Sequence, residues 1–139
     1  MYRRNKVFID TSILIYMQSG MSPAKMKISR ELFEKSSLDN LIVLSTQVLQ
    51  EFFVTMTLKL NHDPITIKNL LGLFDDFEII TVNASLIFDA IDTSVVHQLS
   101  FWDSLIICSA SSSHCKVIYT EDMNHGQVIR GVEIVNPFK

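Results

Sequence analysis

Five short apolar runs punctuate the chain, and longer stretches with helical spacing fill the gaps between them. Lys6–Asp10 (KVFID), Leu41–Ser45 (LIVLS), Phe77–Val82 (FEIITV), Val117–Thr120 (VIYT) and Val132–Val135 (VEIV) are too short for helices and rich in β-branched and aromatic residues. They read as strands. A short helix follows Ser12, and a second starts at Pro23 behind the capping residue Ser22 and runs to about Ser36. Gln47–Leu60, Pro64–Phe74, Ser85–Gln98 and Phe101–Ser112 continue the helical series. Strands alternating with helices predict an α/β protein with three layers: a central, mostly parallel five-stranded sheet with helices on both faces. The strands are apolar throughout, as burial on both faces requires.

With 139 residues the chain is expected to form one domain, 1–139, able to bury roughly 70% of its extended surface without disulfides or structural metal. Cys108 and Cys115 make neither a disulfide framework nor a metal knuckle, and are expected to be reduced. The start, MYRRNKVFIDTS, has too short an apolar run for a signal peptide, and no run approaches a membrane span. The expected location is the cytoplasm, with no membrane contact. A net charge of −3 gives no overall basic footprint for nucleic acid, although four clustered acids would hide a nearly neutral remainder.

The acids carry the candidate chemistry. Asp10 closes the first strand and is followed by the hydroxyls of Thr11 and Ser12; as a cap it would serve the next helix equally well. Glu51 lies in TQVLQEFFVTMTLKL, off the apolar stripe Leu49, Phe52, Phe53, Met56 and Leu60, on a face that also carries Val48, Val54 and Leu58. An acid among such neighbours is unfavourable unless paired or bound to a cation; otherwise it belongs to the surface. Asp103 follows Ser100 at capping-box spacing, which puts it at a helix N-terminus on either reading. Glu121 and Asp122 end the VIYT strand, as a polar turn or as a second strand-end site. Strand ends and helix starts form the crevice of a parallel α/β sheet. If these acids converge there, each pair about 5 Å apart at an effective dielectric of about 20 repels by roughly 3 kcal/mol. They must then protonate or hold a hard divalent cation, and oxygen ligands select Mg²⁺ or Mn²⁺. Such an ion eases water deprotonation and neutralises charge on a phosphodiester oxygen, while a spare carboxylate acts as general base. Thr11, Ser12 and Thr120 are candidate supporting hydroxyls.

VFIDTSILIY, Glu51 in the helix after the second strand, FWDSLIICSA and YTEDMNHGQVI together resemble the PIN-domain nucleases over almost the whole chain. The closing DMNHG…GVEIVNPF is similar to a bacterial branch close to the VapC toxins of type II toxin–antitoxin pairs. The resemblance implies a Rossmann-like PIN fold and a Mg²⁺- or Mn²⁺-dependent endoribonuclease acting on RNA. It also implies a frequent homodimer and an antitoxin partner that blocks the site. The family's acidic positions fall on Asp10, Glu51, Asp103 and Asp122, as catalytic and metal-binding residues, and its hydroxyl falls on Thr11 or Ser12. Glu121 stands beside the fourth position and could share or replace its role. Ser12 departs from the asparagine that many relatives carry.

The substrate-binding residues are not legible. Trp102 could stack on a base, but beside Phe101 in a helical stripe it reads as core. Arg3, Arg4, Lys25, Lys27 and Arg30 could touch phosphates or simply form a solvated face, and His125 beside Gly126 reads as a turn residue. Gln47–Leu60, apolar on nearly all sides, motivates the homodimer independently. A receiver-type signalling domain would need an acid and a lysine where Asn83 and Asn136 stand, and no glycine loop follows the first strand to cradle a nucleotide. The alternative to an enzyme is a catalytically weak PIN-like module that binds RNA or protein.

Overall fold

The computed structural model describes residues 4–139; Arg3 lies outside them. The strands are β1 (Lys6–Ile9), β2 (Leu41–Ser45), β3 (Glu78–Ile80), β4 (Val117–Tyr119), β5 (Val128–Ile129) and β6 (Val132–Val135). The helices are α1 (Thr11–Gln18), α2 (Pro23–Asp39), α3 (Thr46–Val54), α4 (Pro64–Gly72), α5 (Ala84–His97) and α6 (Phe101–Ser112). The sheet order is β3-β2-β1-β4-β6-β5, parallel except for the β5–β6 pair. The expected five-stranded sheet is therefore six-stranded and mixed. The added strand, β5, has two residues, too few to show alternation. It joins β6 through Arg130 and Gly131, both at positive φ, the conformation of a tight two-residue hairpin.

The chain moves outward from β1 through α1–α2 and α3–α4 to β3, then returns through α5–α6 to β4 on the other side of β1. Right-handed crossovers put the two sets of helices on opposite faces of the sheet. Val7, Phe8, Ile9, Val43, Leu44 and Ile118 fill its middle, almost wholly buried. On one face Phe33, Phe52, Phe74 and Phe77 form a ring cluster that ties α2, α3 and the segment before β3 together. On the other, α6 buries every residue from Ser104 to Ala110 against the sheet and α5.

One element departs from expectation in kind. The helix expected over Gln47–Leu60 is α-helical only to Val54 and then widens into a π-helical turn, Thr55–Lys59. Its buried line is Val48, Phe52 and Met56, whereas Phe53, Val54 and Leu58 face outward.

Candidate active site

The order of the sheet reverses between β1 and β4, the position where an open α/β sheet leaves a crevice at the carboxyl ends of its strands. Asp10 stands there. Its backbone N–H donates to the Tyr119 carbonyl across the β1–β4 gap (3.0 Å). Its side chain caps α1, accepting from the Thr11 N–H (2.7 Å), and accepts from the Thr120 hydroxyl (2.7 Å). Only 6% of Asp10 is exposed, and burial pushes its carboxyl up to about 7 despite these hydrogen bonds, with the charges of Glu51 and Asp122 adding to the rise. The cap role and the strand-end role thus coincide in one side chain.

Glu51, Asp103 and Asp122 face the same region. Each carboxyl titrates above its ordinary range, first through desolvation and then, for Glu51 and Asp122, through repulsion. Glu51 feels Asp103 and Asp122; Asp122 feels Glu121 and Asp103. The acids therefore form one repulsive network, fed by β1, α3, α6 and the loop after β4. Ser100 accepts from the Asp103 N–H (3.0 Å), so the capping half of that reading stands beside its place in the network. Among the described residues, no three His, Cys, Asp or Glu side chains gather closely enough to hold one cation directly. The donor set nonetheless suits a hard ion that keeps several waters and takes only one or two carboxylates directly. The Thr11 hydroxyl, buried beside Asp10 without a hydrogen-bond partner, is a further oxygen of the right kind.

The supporting residues divide. Thr120 bridges two acids: its hydroxyl donates to Asp10 and accepts from the Asp122 N–H (3.1 Å). Ser12 accepts from the Glu121 N–H (3.3 Å), tying α1 to the loop after β4. Glu121 ion-pairs with Lys25 of α2 and hydrogen-bonds Tyr16 of α1. Burial alone would raise the Glu121 carboxyl, but these partners outweigh it and hold it below the usual range. Glu121 thereby stays ionised in an ion pair and its charge is felt by Asp122, which is the one of the two that couples to Asp10 and Glu51. Lys25, expected on a solvated or phosphate-binding face, is instead a tether whose ammonium also lies over the rings of Tyr16 and Phe138. His125 accepts from the Asn136 N–H, a turn role.

Trp102 is not core: it is 63% exposed, edge-on to Phe101. The enclosed part of α6 begins only at Ser104, so the first turn emerges at the acidic edge. Gln47, which nothing in the sequence singles out, is one helical turn before Glu51, hydrogen-bonds it, and donates to the Trp102 carbonyl (3.2 Å). A larger cavity, about 450 Å³ between α4 and the π-helical turn, is lined by Met56, Ile67, Leu70 and Leu73 and holds none of the acids, so chemistry and not size locates the site.

A PIN-domain family model matches residues 7–130. The chain belongs to the PIN-domain family. Solved structures similar to this PIN domain include Mycobacterium tuberculosis VapC20, described as a sarcin–ricin loop cleaving toxin, at 19% identity and a TM-score of 0.69, over 84% of this chain and 89% of that one. A toxin–antitoxin complex from Klebsiella pneumoniae matches at 18% identity and a TM-score of 0.70, over 94% and 97%. VapBC2 from Rickettsia felis, bound to a DNA fragment from its promoter, matches at 16% and 0.66, over 93% and 96%. No curated protein sequence matches at a significant level. Among the described residues, no helix of this PIN domain is long and apolar enough to cross a membrane.

Proposed function

We propose that this PIN domain is a divalent-metal-dependent endoribonuclease, hydrolysing RNA phosphodiester bonds as the toxin of a toxin–antitoxin pair in the cytoplasm. The observation that carries the reading is the meeting of Asp10, Glu51, Asp103 and Asp122 in one repulsive network at the switch point of the sheet. PIN nucleases in general use divalent metals, and these four side chains are proposed to hold Mg²⁺ or Mn²⁺, one or two of them directly and the others through its waters. Bound there, such an ion neutralises charge on the phosphate and makes water more acidic. The chain's own groups do the rest. Thr120 fixes the rotamer of Asp10 and the backbone of Asp122. Glu51 and Asp122, both exposed and both of raised pKa, are placed to take a proton from water. Ser12 and the Lys25–Glu121 pair hold the loop that carries Asp122.

The test is cleavage of a mixed RNA pool in the presence of Mn²⁺, with Asp10→Asn as control. Cleavage that survives the substitution, or no cleavage with either ion, sinks the proposal. The open spacing of the carboxylates favours a second reading, a catalytically weak module for RNA or protein binding, and RNA bound but never cut would establish it. Two partners are proposed. The toxin–antitoxin complexes among the similar structures support an antitoxin. Ile87, Phe88, Ile91 and Val95 make an exposed apolar stripe along α5 that supports a homodimer.

A further inference from the structure

Trp102 is a large aromatic side chain left in solvent beside the acids. It precedes Asp103 on α6 and overhangs a depression of about 310 Å³ lined by Gln47, Gln50, Glu51, Val54, Thr55 and Lys59. We propose that this depression is a nucleobase subsite, in which Trp102 stacks on a base of single-stranded RNA beside the bond that is cut. The inference rests on the nuclease reading. The cavity is at the small end of the range for ligand sites and is mostly apolar with a few amide and charged groups, the make-up such sites have. It is continuous with the acids, since Glu51 forms part of its wall and Asp103 is the next residue after Trp102. Gln47 is held in place by its bond to the Trp102 carbonyl, and its amide oxygen is buried with no partner. The π-helical turn brings Thr55 and Lys59 to the rim; such widened turns recur at functional sites. Lys59 makes no ion pair among the described residues, so it is available to a phosphate. An indole face offered beside a cation is the combination that binds single strands, and it tolerates any base because every base has a π-face.

Trp102 is the sole tryptophan of the chain, so its fluorescence reports on this position alone. The experiment titrates the full chain carrying Asp10→Asn, without divalent metal, with a short mixed-sequence single-stranded oligoribonucleotide, and follows tryptophan emission together with RNA anisotropy. Saturable quenching in step with the anisotropy is expected. Trp102→Ala should weaken RNA binding by about 5- to 150-fold, and Trp102→Phe should restore most of it. Lys59→Gln should flatten the salt dependence by about 0.7 in log–log slope, the share of one phosphate contact. Emission unmoved at saturating RNA overturns the proposal, as does emission that tracks protein concentration alone, which would report contact between two copies. If wild-type protein cuts RNA while Trp102 stays silent, only the subsite fails. If the RNA neither binds nor is cut with Mn²⁺, the nuclease reading fails and the subsite with it.

Discussion

Asp10 sets a conflict between stability and chemistry. Its folded-state pKa of about 7 lies above the ordinary 3.8, so the folded protein keeps this proton longer than the unfolded chain does. The stability that results is fully present below about pH 4 and drains away as pH rises towards about 7, by up to about 1.4 kcal/mol per pH unit. Asp10→Asn should therefore abolish the Mn²⁺-dependent cleavage and yet, in metal-free protein, raise the urea midpoint by an amount that grows across that window. A difference between wild type and variant that stays flat with pH would show that the carboxyl is not desolvated. Added Mn²⁺ should shrink the gap by stabilising the wild type alone. Thr120→Val removes a hydroxyl that serves two acids at once. It should destabilise the protein by about 1–3 kcal/mol in denaturant unfolding and reduce cleavage well beyond what that loss of fold explains. Asp10 and Asp122 were candidates because a carboxylate at the end of an apolar run stands out, whereas Glu51 and Asp103 read equally well as helix-surface and capping residues. Trp102 and Gln47 were not legible, because whether the first turn of a helix is covered depends on packing between elements that are distant in sequence.

At the scale of elements, capping chemistry made two helix starts readable, Ser22 before Pro23 and Ser100 before Phe101, and in the structure Asp63 accepts in the same way before Pro64. β5 was hidden by its length and by an Arg-Gly turn that lacks the Asn-Gly or Asp-Gly signature. The π-helical turn was hidden because its residues are those of an ordinary amphipathic helix, and one extra residue per turn leaves no mark in composition. Deleting Thr57 should convert the segment to α-helix and shift Leu58 and Lys59 relative to α3. Circular dichroism should change little, while RNA affinity falls to that of Lys59→Gln or below. The loop after β4 depends on α2 in a similar way. Lys25→Met leaves Glu121 without its cation, so amide exchange over Glu121–Asn124 should quicken and cleavage should drop, with Lys25→Arg restoring both.

For the molecule as a whole, alternation of strands and helices was enough to place a mostly parallel sheet and its crevice, because crossover handedness leaves few ways to arrange them. It could not show which apolar side chains remain uncovered, and those bear on assembly. Light scattering at micromolar concentration should give twice the chain's mass for the wild type, and Phe88→Asp combined with Val95→Asp should halve it. A wild-type protein at a single chain's mass removes the homodimer. The margins of the sheet have a separate consequence. β3 and β5 are its outermost strands, three and two residues long, and Glu78 at the start of β3 is ion-paired with Lys6. Ribbons that short offer a stray chain few open backbone groups to zip onto. The protein should therefore tolerate accumulation to high concentration without forming fibrils, however apolar the helices that surround its sheet.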